Sequence, residues 1–145
     1  MTMTKAKLEN LGVEAQSGNV VALLRAETGE LLPIWIGPLE AQNIAVALAG
    51  EKPPRPLTPD LLLSVLEMLG GKLKRVEITE LKDGTYFARL VIDHRGIEYE
   101  IDARPSDAMA LAVRTGAEIV VDEKVLEEGK IDEANFEPHG PTPEA

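Results

Sequence analysis

The stretch Asp102-Ala103-Arg104-Pro105-Ser106-Asp107-Ala108, continuing as Met109-Ala110-Leu111-Ala112-Val113-Arg114, decides how the rest of the chain is read. It describes the end of a strand, a break at Pro105 and the first turn of a short helix. Pro105 has no N–H to give to a ladder and pushes Arg104 towards extended backbone, while Ser106 is the expected N-cap and Asp107 suits the positive end of a helix dipole. The helix face Ala108, Leu111, Ala112 is small and apolar, so its backbone can sit close to a sheet. Four side chains able to bind a cation or a phosphate (Asp102, Arg104, Ser106 and Asp107) therefore crowd around one corner. Two readings stay open here: a capped helix whose arginine pairs with a neighbouring acid, or a ligand-binding corner.

Working outward, the strand Ile97–Ala103 alternates. Ile97, Tyr99, Ile101 and Ala103 face one way, and Glu98, Glu100, Asp102 and Arg104 the other. Three carboxylates on one face suit a hard divalent cation, although a solvated sheet face explains Glu98 and Glu100 more simply. Upstream lie strands over 74–81 and 86–92, joined by turns at Lys82-Asp83-Gly84 and Asp93-His94-Arg95-Gly96. Downstream, the helix stops at Thr115-Gly116, a short strand covers 118–121 and a helical turn or two covers 123–128.

The first half repeats this order. Strands are expected over 6–14, 19–26 and 31–36; Val20-Val21-Ala22-Leu23-Leu24 is apolar throughout, as in a strand buried on both faces, and Pro33 marks an edge or a bulge. Gly37-Pro38 opens a helix to Ala49 with Ala41, Ile44, Ala45 and Leu48 on one side; a proline-rich connector over 51–57 leads to a second helix capped by Thr58. Ile36-Gly37-Pro38-Leu39-Glu40-Ala41 and Ala103-Arg104-Pro105-Ser106-Asp107-Ala108 share strand, proline, any residue, acid and alanine, offset by 67 residues. That echo predicts a duplication with Glu40 and Asp107 in matching places and the same strand order in each half.

Composition excludes several classes. A chain of 145 residues, 44% hydrophobic, is long enough for one domain with a sizeable core, here expected over 1–134. No apolar run approaches a membrane span, the first residues lack a signal-peptide core, and the absence of cysteine fits a reducing cytoplasm, the expected location. Two histidines, His94 and His139, do not suggest a zinc site, and no Gly-rich phosphate loop or nucleophile elbow occurs. The net charge is −10, concentrated in nine acids against two lysines from Glu118 onward, so there is no basic field for a phosphate backbone. Residues 135–145, acidic and proline-rich, are expected to be disordered and dispensable. Trp35, the only tryptophan, lies in an apolar strand and suggests a nearby subunit interface of two-fold type.

Three blocks in order, Leu32-Pro33-Ile34-Trp35-Ile36-Gly37 with Glu40-Ala41, Arg55-Pro56-Leu57-Thr58-Pro59-Asp60-Leu61-Leu62, and Asp102 through Ala108, resemble the signature blocks of the bifunctional nuclease family over residues 5–130. The resemblance implies an α+β domain, oligomeric as a homodimer or higher homo-oligomer, with metal-dependent nuclease activity on DNA or RNA. The matching polar residues are Glu40, Arg55, Thr58, Asp60, Asp102, Arg104, Ser106 and Asp107. One position departs: where many members carry His between Thr and Asp, this chain has Pro59, so a base supplied from there would be missing.

The expectation is therefore an α+β fold with a mixed or antiparallel sheet of six to seven strands and two to three packed helices. The leading function is phosphodiester hydrolysis. Asp102, Asp107, Glu40 and Asp60 are the candidate ligands of Mg²⁺ or Mn²⁺, Arg55 and Arg104 would steady the transition-state charge, and Thr58 and Ser106 would contact substrate. The alternative is a non-catalytic oligomeric binding or regulatory domain in which the same side chains cap helices and form ion pairs.

Overall fold

The computed structural model describes residues 2–13 and 16–131. The elements in chain order are strands β1 (Met3–Val13), β2 (Val20–Ala26) and β3 (Leu31–Ile36), helices α1 (Pro38–Leu48) and α2 (Thr58–Met68), strands β4 (Gly71–Lys82), β5 (Thr85–His94) and β6 (Ile97–Ala103), helix α3 (Pro105–Thr115), strand β7 (Glu118–Asp122) and helix α4 (Glu123–Gly129). The expected tail over 135–145 lies outside the described residues.

All seven strands form one mixed α+β sheet in the order β3-β2-β1-β7-β4-β5-β6, antiparallel throughout except for β7 beside β4. Each half is an antiparallel meander that ends in a proline-started helix, β1-β2-β3-α1 and β4-β5-β6-α3, as the internal echo predicts. The outermost strands are β3, where Pro33 sits without disturbing an inner ladder, and β6. Val21 and Leu23 are buried on one face of β2 and Ala22 and Leu24 on the other, as its continuous apolar run requires.

Helix α3 is the centre of the molecule. Pro105, Ser106 and every residue from Ala108 to Ala112 are buried, well beyond the single face expected. It packs on α1, α2, β4, β5 and β7. A helix apolar on nearly all sides must be covered on all sides, and its alanines let those covers come close. The sheet curls to do so. Leu32 of β3 and Tyr86 of β5 both crowd Gly129 of α4, where a Cβ would collide with the tyrosine hydroxyl and with Leu32 Cδ1. In a flat sheet the five spacings between β3 and β5 would hold them about 24 Å apart. Register shifts at Leu8/Asn10 in β1 and at Leu73/Arg75 and Ile78/Glu80 in β4 supply the bending that bulges give. Gly116, at φ 75°, ends α3 in the left-handed conformation that glycine adopts freely.

The helix starts correct the expected caps. The N-caps of α2 and α3 are Leu57 and Arg104, with no side-chain cap from Thr58 or Ser106, because each proline falls in the first turn and the backbone ahead of that turn stays extended (ψ 170° and 146°). Asp60 instead reaches back to the Leu57 N–H at 3.0 Å. Helix α1 buries Ala41 and Ile44 but leaves Ala45 and Leu48 exposed, since α3 covers only one side of it. Among the described residues the helices number four rather than two to three, because the turn after β7 extends to a seven-residue α4. Among the described residues no helix is long and apolar enough to cross a membrane.

Two ion networks hold the layers. Glu77, with 6% of its side chain exposed, receives Arg75 Nε at 2.7 Å and Arg89 Nε at 2.6 Å. Burial pushes its pKa up, but the two guanidinium hydrogen bonds outweigh that and hold the carboxyl below its usual range. Glu98 and Glu100 lie outside it, paired to Lys74 and Arg89, which is how the acidic face of β6 is neutralised. Arg114 of α3, only 8% exposed, binds Asp60 of α2 at 2.8 Å and the Asn43 carbonyl of α1 at 2.9 Å, tying three helices together. The hydrogen bond from Arg114 is the main reason the Asp60 carboxyl titrates below its usual range, and the Leu57 N–H adds to it against the cost of burial.

Glu77→Gln keeps the shape but removes the one buried counter-charge that Arg75 and Arg89 share, leaving them only the longer, more exposed pairs to Glu98 and Glu100; a loss of about 1–3 kcal/mol in denaturant unfolding is expected. Folded-state values below the ordinary carboxylate range of about 4 stabilise the protein above that pH, and this stability is lost as pH falls through the depressed values. Thermal melts should therefore stay level near neutrality and drop below about pH 4, and Asp60→Asn should flatten part of that drop.

Candidate functional site

The curl of the sheet brings the two echoing corners together. Glu40 is the third residue of α1 and Asp107 the third of α3, each two residues after a proline and in the first helical turn. Gly37 makes room for Glu40: a Cβ at Gly37 would run into the Glu40 carboxylate, which folds back over the start of its own helix. From that position Glu40 Oε2 accepts from Arg104 Nη1 at 3.3 Å. Arg104 meets Asp107 as a two-pronged fork, Nε to Oδ2 at 2.9 Å and Nη2 to Oδ1 at 3.2 Å. One guanidinium thus sits between two carboxylates contributed by opposite ends of the strand order. Asp107, then Glu40, raises the Arg104 pKa, so the group stays charged at any working pH.

Beside this trio lies a cleft of about 310 Å³ lined by Ile34, Trp35, Ile36, Gly37 and Glu40 on one side and by Arg104, Pro105 and Ser106 on the other, with Thr85 and Tyr86 of the β4–β5 hairpin closing it. Burial raises the Tyr86 pKa, which keeps its hydroxyl protonated. Arg104 keeps 63% of its side chain exposed, so it can turn from its acids to a ligand. Ser106 is buried at the cleft wall rather than at the helix cap.

The structure distributes the remaining predicted residues elsewhere. Asp60 faces Arg114 in a second cleft between α1, α2 and α3. Arg55 and Thr58 are exposed at the start of α2 and line neither cleft. Asp102 is exposed on β6, opposite Arg89 in register but without an ion pair to it. The corner therefore unites Glu40, Arg104, Ser106 and Asp107. It also includes Trp35 and Tyr86. The echo motif starts one residue after Trp35 and could have drawn attention to it; nothing local to Tyr86 signals its place, because a hairpin from the other half delivers it.

The oxygen-only donor pair Glu40 and Asp107 suits a hard cation. Among the described residues no cluster of three or more His, Cys, Asp or Glu could hold a metal, so an ion here would rest on two carboxylates and keep waters, the usual manner of Mg²⁺.

Comparison with known proteins agrees with the three sequence blocks. The sequence model of the bifunctional nuclease domain matches residues 22–134. An uncharacterized protein of Mycobacterium tuberculosis is 42% identical over 125 residues, which is 86% of this chain and 74% of the relative. Bifunctional nuclease 1 of Oryza sativa is 31% identical over 71% of this chain, and Bifunctional nuclease 1 of Arabidopsis thaliana 28% over 77%. The matched part is only 33% and 38% of those two plant proteins. Matched over most of its length by the family's own model, the chain belongs to the bifunctional nuclease domain family.

Proposed function

We propose that this protein is a metal-dependent nuclease whose site is the Glu40–Arg104–Asp107 corner and its cleft. The observation that carries this reading is the position of Arg104, a charged and exposed fork held between two carboxylates at the mouth of a small cleft. The nuclease names of the plant relatives support the reaction class.

A phosphodiester presents two non-bridging oxygens in the same planar arrangement that the Asp107 carboxylate offers to Arg104 now. Arg104 would hold the scissile phosphate and steady the charge that builds on it. Glu40 and Asp107, released from the guanidinium, would hold Mg²⁺ or Mn²⁺, which when bound shields the phosphate and acidifies a water. Ser106, at the cleft wall, would contact the substrate. Arg55, Thr58, Asp60 and Asp102 take no direct part in this reading, and no base at position 59 is needed because either corner carboxylate can orient the water.

Cleavage of DNA and RNA by protein freed of contaminating nucleases should appear with Mg²⁺ or Mn²⁺ and vanish with chelator. Glu40→Gln and Asp107→Asn should each lower kcat by about 10²-fold or more, on the scale of losing a group that acts in the transition state. Arg104→Lys should also fail, because a point charge does not replace a fork. Asp102→Asn should remain close to wild type; if it alone abolishes cleavage, the site lies on β6 and not at the corner.

Gly37→Ala isolates the placement of Glu40. Its backbone, at φ −75° and ψ 163°, accepts alanine without strain, so the fold should survive, while the added methyl displaces the carboxylate. Loss of cleavage with an unchanged melting temperature is expected, and wild-type cleavage would show that Glu40 need not occupy this position.

A further inference from the structure

Trp35 is the chain's only tryptophan, and 51% of it remains exposed. It occupies the penultimate position of the edge strand β3, two residues before Gly37, and lines the same cleft as Arg104, Glu40 and Tyr86. A large ring left half in water on a residue that lines the same cleft as a guanidinium fork is a costly arrangement for a side chain whose usual use is to be buried. Its neighbours on β3, from Leu31 to Ile34, are all buried, so the strand itself does not require an exposed ring at this point.

Charge sharpens the meaning of that ring. The chain carries −10, and the corner itself sets two carboxylates against one guanidinium. Phosphate contacts, which dominate the affinity of ordinary nucleic-acid-binding surfaces, have little to work with here. Stacking of a base on an aromatic ring needs no net charge and is worth about five- to hundredfold in affinity per base. The cleft of about 310 Å³ is at the small end of ligand sites, enough for one nucleotide and not for a duplex.

We infer that Trp35 is a stacking platform for an unpaired nucleobase whose phosphate is held by Arg104, which makes single-stranded or extruded nucleotides the ligands of this cleft. This rests on the nuclease reading for the identity of the ligand. A base within a duplex is covered on both faces and cannot reach the ring without paying to unstack, so selectivity for unpaired strands follows from the geometry.

A single tryptophan makes its own emission the reporter. Full-length protein is titrated with a short single-stranded oligonucleotide, with the same strand annealed to its complement, and with inorganic phosphate, using Ca²⁺ to limit cleavage and chelator in a parallel series. The single strand should quench Trp35 saturably and bind about tenfold or more tighter than the duplex, and phosphate alone should not quench. With a fluorescently labelled strand, Trp35→Leu should lose about tenfold in affinity by anisotropy, and Trp35→Phe should recover most of it because a smaller ring still stacks. Binding should also weaken only modestly with added salt, unlike that of a basic surface.

Absence of quenching by the single strand, equal binding of the duplex, or an emission change that follows protein dilution instead of nucleic acid would each overturn the inference; the last would mean that a second copy of the chain covers the ring. The nuclease reading fails separately. Quenching without cleavage leaves the Trp35 site and removes the hydrolase, whereas cleavage unaffected by Trp35→Leu and without quenching leaves the hydrolase and removes the site.

Discussion

The burial of α3 is the constraint on which everything else depends. Ala108 through Ala112 present apolar surface in every direction, and no single sheet face can cover such a helix. The seven strands answer by curling, with three register shifts in β1 and β4 allowing the bend. Were the sheet flat, β3 and β6 would stand six spacings, about 29 Å, apart. Instead the residue that follows β6, Arg104, and the first turn of the helix that follows β3, with Glu40, meet at 3.3 Å. The candidate site is thus a product of core packing: small side chains in the centre draw together two corners that are remote in strand order.

The ion pairs divide by burial, and the division separates scaffold from site. Arg114 and Glu77 are almost wholly enclosed, and their partners satisfy charges that would otherwise be costly to bury. In the Glu40–Arg104–Asp107 trio Arg104 and Asp107 are exposed and Glu40 is partly buried, and pairs open to solvent contribute only about 0–1 kcal/mol. Three charged side chains are thus assembled from both halves of the chain at little gain in stability. The same contrast explains why Asp60, which resembles a family site residue in sequence, works here as the anchor of a buried arginine.

The repeated topology has a chemical consequence. In each half a meander runs into proline, and the acid two positions later lies in the first helical turn. Only the second copy carries an arginine ahead of the proline; the first carries Gly37, which leaves space for its own acid to fold back. Two corners of like topology are therefore unlike halves of one ion-paired trio, the first giving a carboxylate and the second a fork with a carboxylate.

Much of this was legible in the residues. Proline in the first helical turn, the alternation of β6, the continuous apolar run of β2 and the edge position marked by Pro33 are local consequences of backbone sterics and side-chain period, and sequence carries them without help. The echo between Glu40 and Asp107 was legible as a pattern too. The caps expected at Thr58 and Ser106 failed because the extended backbone that precedes a proline-started turn takes the capping place, whatever polar residue comes next. What only the tertiary structure decided was which acids meet. Sequence spacing put Asp102 beside Asp107, but they belong to different elements: Asp102 stays on an exposed strand, while Asp107 shares Arg104 with Glu40, which lies 64 residues from that arginine. The same holds for Asp60 with Arg114 and for Tyr86 at the cleft. Those partnerships follow from how far the sheet bends around α3, a property of summed packing that no short stretch of chain contains.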